Sequence, residues 1–315
     1  MAKTKEISRR IKSVSSTKKI TKAMEMVAAA KMRKAVDAVL KTRTYANLSW
    51  ETVLHLAKIA DNHNEVGHPL LIKKTEVKKV ALILIASNRG LCGGFNAAII
   101  NKAKESLKKH NLETDIILVG KKGAVLAQQK YNIAAEFPKS DLVLSAVETN
   151  PIARMVIADY LLGKYDKIML AYTDFVSGAV QVPRVKQLLP VDIVANDQYL
   201  GVVGKSETVG TSRSFIEDKE KQHLQSGEFT YEYAFEPSPK EVLDRIVPRL
   251  IEVQLYQALL ESNASEHSAR MAAMHQATES ASDMVSELTL FYNKARQSSI
   301  TAEIAEISAG ANALA

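Results

Sequence analysis

The stretch "SNRGLCGGFN" (87–96) has the composition of a phosphate cradle. It falls between an apolar run, "VALILIA" (80–86), and a helix-like segment, the place where backbone N–H groups hold phosphates in nucleotide-binding folds. Its glycines, Gly90, Gly93 and Gly94, do not follow G-x-G-x-x-G, and no acidic residue stands where a ribose partner belongs. A tight strand-to-helix turn explains them better than a nucleotide site. "GKS" (204–206) resembles the end of a P-loop, but the required first glycine is Tyr199, and neither a buried strand nor an apolar helix flanks it. His63, Glu65 and His68 lie in a turn before Pro69, and a solvated turn is the better reading. His267 and His275 are eight residues apart, with no third donor in register. Cys92 is the one cysteine; it has no His or Lys beside it in sequence to activate it, and it excludes an internal disulfide. No paired carboxylates or catalytic triad can be argued from spacing. The residues therefore call for no catalyst, cofactor or metal.

The elements around these residues are more informative. The first glycine is Gly67 and the first proline Pro69, so residues 1–66 read as one continuous helix. A stripe at mean spacing 3.5 runs through Ile7, Ile11, Val14, Thr21, Met24, Ala28, Met32, Ala35 and Val39, interrupted by Lys18. A helix of about 55 residues would be roughly 80 Å long and needs a partner along its length. At the other end, Ser238 is a candidate N-cap, Pro239 stands at the first helical position and Glu241 closes a capping box. Pro248 should bend this helix; beyond it no Gly or Pro occurs until Gly310. Met271, Met274, Thr278, Ala281, Val285, Leu288, Tyr292 and Ala295 form its coiled-coil seam.

Between the helices, strands alternate with helices: 79–86, 115–120 and 166–175 read as strands, with "SGAVQVPRVKQLLPV" (177–191) as another, and helices follow the first and precede the third. The fold class is α/β: a Rossmann-like, mostly parallel sheet domain inserted between two long terminal helices that form an antiparallel coiled coil. The domains are 1–66, 70–232 and 238–315. Residues 196–230 read as a flexible polar excursion.

Charge is uneven. The chain carries +7 overall, while residues 1–43 hold 13 Lys/Arg against Glu6, Glu25 and Asp37. A targeting peptide would share this composition, but the helical pattern runs past residue 30 without a boundary. The alternative function is that of a coiled-coil adaptor or nucleic-acid-associated protein using the basic helix, though aromatic interleaving is sparse. The last stretch, "SSITAEIAEISAGANALA", is small or apolar on every side, with only Glu303 and Glu306 charged. Either it frays, or other proteins enclose it.

"STKKITKAMEMVAAAKMRKA", "SNRGLCGGFN", "EPSPK" and "YNKARQSSITAEIAEISAGANAL" together resemble the gamma subunit of F-type ATP synthases, over nearly the whole chain. The 205–230 excursion departs from the family's short versions, and a single cysteine excludes the thiol switch of its chloroplast branch. The resemblance implies a central rotor shaft, without a catalytic site of its own, inside a ring of three alpha and three beta subunits. It implies further partners in the epsilon subunit and the c-ring, one copy per complex, and a peripheral place at the cytoplasmic face of the bacterial plasma membrane as part of F1. On the same basis, Lys22, Lys31, Arg33 and Lys34 would meet acidic lever segments of beta, with Met24 level with them. Arg270 would lie mid-shaft, and Arg296, Gln297 and Thr301 would face the beta catch loop. Tyr233 and Glu236 would meet the c-ring loops, and residues 302–315 would turn in an apolar sleeve. Removing Asn312–Ala315 should then weaken this bearing yet leave the head assembled, which recovery of the complex from cells expressing the shortened chain would check.

Overall fold

The computed structural model describes residues 2–62, 68–72, 74, 76–110, 112–129, 131–141, 145–191, 236 and 239–314. His63, Glu65, the "GKS" at 204–206, the polar stretch 196–230, Tyr233 and Ser238 lie outside the described residues. Helix α1 spans Ala2–Asn62 and α4 spans Pro239–Leu314, with Pro248 inside α4. Between them lie β1 (Lys79–Ile85), α2 (Phe95–His110), β2 (Glu113–Val119), β3 (Asn132–Phe137), α3 (Asn150–Leu161), β4 (Lys167–Phe175) and β5 (Gln181–Leu189), with a 3-10 segment at Lys121–Gln129. The chain divides into two compact units, residues 1–29 with 270–315, and residues 30–269.

In the second unit the described strands form one sheet in the order β3-β2-β1-β4-β5. β1 pairs in parallel with β2 and β4, β2 pairs in parallel with β3, and β5 closes the other edge antiparallel to β4. β1 is central and buried on both faces, which is why it reads as an unbroken apolar run. Alternation sorts the side chains. Leu82, Leu84, Ile116, Leu118 and Ala171 face Ile99 and Ala103 of α2. Ala81, Ile83, Ile117, Leu170 and Tyr172 face a larger cluster containing Val156 of α3, Ala35 and Val39 of α1, and Leu243, Ile251 and Leu259 of α4. The terminal helices thus complete the core of the inserted domain.

β3 is absent from the sequence reading. "NIAAEF" is a short edge strand whose Ile133, Ala135 and Phe137 are half-buried and alternate with exposed residues; its two alanines carry little strand propensity, and it is placed by pairing with β2.

At the starts of the strands, Asp166 accepts the backbone N–H groups of Lys78 and Lys79 at 2.9 and 3.0 Å and the Lys74 ammonium at 2.9 Å. The Lys74 bond first, then the two backbone bonds, lower its pKa from 3.8 to about 2. Asp115 is fastened by Asn132 at 2.7 Å and by the Tyr165 hydroxyl at 3.0 Å. At the opposite end, Gly120 (φ 98°) lies hard against the backbone of Ala86, where a Cβ would collide with the Ala86 carbonyl oxygen.

Two outcomes follow from these contacts. Gly120→Ala should destabilise the chain by more than about 1 kcal/mol, through a positive φ and a backbone clash, as read from denaturant unfolding. Asp166 is depressed on folding, so its stabilisation is complete above 3.8 and is lost as pH falls toward about 2. The stability gap between the parent and Asp166→Asn should therefore close across that window.

Candidate functional site

The first unit is an antiparallel helix pair. Lys18 Nζ donates to Ser282 Oγ at 2.9 Å, the hydroxyls of Thr21 and Thr278 lie 2.8 Å apart, and His275 Nδ1 is 3.4 Å from Glu25 Oε1. The paired numbers run in opposite directions, as an antiparallel seam requires. Ala28, Met274 and Ala281 are buried between these polar pairs. Small side chains let the two backbones approach, and polar pairs at seam positions fix register, because sliding the helices would strand the hydroxyls and the Glu25 carboxylate. Glu25 also receives Lys22 Nζ at 3.0 Å, and that bond first holds its carboxyl below the usual range. Lys18, which breaks the apolar stripe, is half-buried and gives its ammonium to Ser282 of the facing helix.

Farther along α4 the helix pair no longer lies opposite itself. Extending the pairing brings the start of α1 level with residues near 298 of α4, so the last turns of α4 run beyond it. Ile300, Ile304 and Ile307 are exposed there.

The residues named from the resemblance do not gather into a pocket. In the first unit, Lys22 is exposed and paired with Glu25, Met24 is half-buried on the seam, and Arg270 is half-buried. Arg296, Gln297 and Thr301 are exposed, the Thr301 hydroxyl donating to the Gln297 carbonyl at 2.9 Å. In the second unit, Arg33, Lys34 and Glu236 are exposed, whereas Lys31 is half-buried with its Nζ 2.7 Å from Asp141 Oδ2. That bond, more than any other influence, holds the Asp141 carboxyl below its usual range.

Asp141 belongs to a feature the sequence reading missed. The three residues after β3 and Pro138, "KSD" (139–141), buckle both long helices to the sheet domain. Lys139 is buried, its Nζ 2.6 Å from Glu266 Oε2 and 3.4 Å from Ser262 Oγ. The Ser140 carbonyl accepts Asn263 Nδ2 at 3.1 Å, and the Asp141 carbonyl lies 2.9 Å from His267 Nε2. On the other side, Asp141 takes Lys31 of α1. Nearby, Ser268 Oγ donates to the Gly178 carbonyl at 2.6 Å and Ser265 Oγ to the Thr173 carbonyl at 3.3 Å. Residues 261–268 of α4, "ESNASEHS", are buried on every side although nearly all are polar. A buried helix normally reads as apolar all round. Here carbonyls from β4 and the loops, with the buried Lys139, bond Ser262, Asn263, Ser265, Glu266, His267 and Ser268. The signal available beforehand was a helix segment, 250–268, almost without apolar periodicity yet without a single Lys or Arg after Leu250.

The glycine-rich turn supports the buckle. Asn88 Nδ2 donates to the Lys139 carbonyl, and Lys139 Nζ lies 5.4 Å from the centre of the Phe95 ring. The turn closes on itself: Ser87 Oγ donates to the Arg89 carbonyl at 2.7 Å, Asn96 Oδ1 accepts the Ser87 N–H at 3.0 Å, and Leu91 takes a left-handed φ of 61°. Asn96 Nδ2 lies 3.2 Å from the buried Cys92 Sγ. These side chains fill the inside of the turn. Among the described residues no cluster of His, Cys, Asp and Glu could hold a metal ion, and no helix is long and apolar enough to cross a membrane.

By class, then, this is an antiparallel helix-pair protein with an inserted, mostly parallel α/β domain clasped to its helices. The family model described as "ATP synthase" matches residues 3–314. The ATP synthase gamma chain of Pelotomaculum thermopropionicum is 41% identical over 315 residues, all of both chains, and that of Heliobacterium modesticaldum is 40% identical over 98% of each. Among solved structures, a chain of the central stalk and c-ring of the Tetrahymena thermophila mitochondrial ATP synthase is similar at a TM-score of 0.58 and 25% identity, covering 82% of this chain and 99% of that one. A chain from the OSCP/F1/c-ring structure of the Euglena gracilis enzyme shares the fold at a TM-score of 0.61 and 18% identity, over 99% and 95% of the two chains. The chain belongs to the ATP synthase gamma-chain family.

Lys139→Ala, or Glu266→Ala, leaves one buried charge without its partner and should cost about 3–5 kcal/mol. Replacing both with Met should be close to neutral, because an apolar pair of similar volume avoids the desolvation penalty. Unfolding midpoints of the three variants check the contrast.

Proposed function

We propose that this chain is the central rotor shaft of an F1 head, turning inside a ring of three alpha and three beta subunits and coupling c-ring rotation to ATP synthesis and hydrolysis. The observation that carries this reading is the antiparallel helix pair with its small-residue seam and polar register keys, in a chain related to gamma chains from end to end. The shaft itself does no bond chemistry. Residues 1–66 and 238–315 supply the axle, and 70–232 the foot that meets the epsilon subunit and the c-ring, with Tyr233 and Glu236 at the c-ring loops. The complex would sit peripherally on the cytoplasmic face of the bacterial plasma membrane and serve ion transport through its partners.

A shaft must pass three equivalent neighbours without locking onto one. Exposed cations on flexible stems suit this, since each such pair contributes only about 0–1 kcal/mol. Lys22, Met24, Lys31, Arg33 and Lys34 would face the beta levers, with Lys31 shared with Asp141. Arg270 would lie mid-shaft, Arg296, Gln297 and Thr301 would face the catch loop, and the exposed Ile304 and Ile307 would run in the apolar sleeve.

The direct test is co-expression with alpha and beta subunits. Recovery of a seven-chain ATPase head that depends on this chain is the expected result, and a head of the same activity formed without it would refute the reading. Within that complex, Met24→Lys should add an ion pair with the lever and lower the ATP yield per proton while leaving assembly intact. Equal yields in variant and parent would contradict it.

A further inference from the structure

The covalent joints between the sheet domain and the two helices lie at their far ends. The chain leaves α1 at Asn62 and enters α4 at Pro239. The buckle holds the same helices elsewhere, at Lys31 and at residues 262–267. From Pro239 to Glu266 the helix rises roughly 40 Å, at about 1.5 Å per residue. Between these points the helix is held to the sheet by apolar packing around Leu243, Ile251 and Leu259, and near Glu266 by the Ser265 and Ser268 hydroxyls. The buckle adds a buried ion pair at that level and ties α1 to the same loop, so a turning force applied to the sheet domain reaches both helices there.

The chemistry of the buckle suits this task. Apolar contacts hold two surfaces together but resist sideways sliding weakly, because they have no preferred direction. The bonds here are directional, and they reach α4 from successive positions along one loop: Lys139 Nζ to Glu266, the Ser140 carbonyl to Asn263, the Asp141 carbonyl to His267. Rotation of α4 about its own axis would break all three together. Asp141 adds α1 through Lys31, so one loop holds both strands of the axle against relative twist. The glycine-rich turn fixes the loop from behind, through Asn88 and the Phe95 ring.

In a chain that is the rotor, as proposed above, we infer that residues 139–141 are the torque coupling between the sheet domain and the shaft, with the Lys139–Glu266 ion pair as its positioning contact. The pair is buried within the chain, and it sets how stiffly the sheet domain is joined to the axle.

The test uses the assembled head containing the full chain, immobilised through its ring, with a bead attached to the exposed position 108 on α2. The angular variance of the bead in the paused state reports the stiffness between sheet domain and ring. The paired change Lys139→Met with Glu266→Met removes direction while keeping volume. It should raise the variance at least twofold with ATP hydrolysis within twofold of the parent. The exchanged pair, Lys139→Glu with Glu266→Lys, should bring the variance back toward the parent value. Glu266→Gln, which keeps an acceptor for Lys139, is the smaller change and should give a smaller rise. Loss of stability alone would lower the yield of assembled head without broadening the bead's distribution. A variance equal to the parent's in the Met pair or in Glu266→Gln overturns the coupling role. Failure of the bead to turn with ATP in the parent overturns the rotor reading instead.

Discussion

A lysine and a glutamate, buried and 2.6 Å apart, hold the sheet domain to the longest helix of the chain. Neither charge could remain there alone, since the cost of removing an ion from water is met only by a partner and further hydrogen bonds. Ser262 and the face of the Phe95 ring supply additional contacts to Lys139. The loop after β3 therefore cannot lift from α4 without exposing two unmatched charges to each other's absence. The neighbouring bonds inherit their geometry from this constraint. Ser140 and Asp141 present their carbonyls to Asn263 and His267 because Lys139 anchors the loop, and Asp141 then faces Lys31.

The same polar logic recurs in the helix pair of the first unit, in a different setting. Around Lys18–Ser282, Thr21–Thr278 and Glu25–His275, small residues keep the backbones close and the polar pairs select one register. Apolar packing alone would tolerate a slip by one turn, whereas a slip here would separate donors from acceptors. Thinness and a unique register are thus obtained together, at some expense in apolar burial. In the second unit, the deficit is made up by the sheet, whose larger core cluster takes in Ala35 and Val39 of α1 and a long run of α4.

Much of this was legible in the residues. The absence of Gly and Pro through residue 66 foretold α1, and the 3-4 spacing from Met271 to Ala295 matches the half-buried and buried positions of α4 almost residue for residue. β1 declared itself by the apolar run 80–86, which supplies six of its seven residues. The glycine-rich turn lacked the spacing of a nucleotide fingerprint, and in the fold Ser87, Asn96 and Cys92 bond to one another within it. β3 was not read because it is short and holds two alanines, weak strand formers, although Ile133, Ala135 and Phe137 do alternate with exposed neighbours. The burial of "ESNASEHS" was equally hidden. Polar helix residues suggest solvent, and only strand β4 and the loops folded over them supply carbonyls in place of water.

Sequence alone determined what is local and periodic: which segments are helical, where the seams run, where the charge lies, and the resemblance on which the family rests. Those properties depend on a residue and its neighbours three, four or seven positions away, so a single chain displays them. The tertiary structure alone decided which polar groups meet. Lys139 and Glu266 are 127 residues apart, and Lys31 and Asp141 are 110 apart. No spacing rule links such positions. Their pairing exists only because the sheet order brings the loop after β3 against two helices from opposite ends of the chain, where burial of Lys139 and Glu266 makes each charge depend on the other.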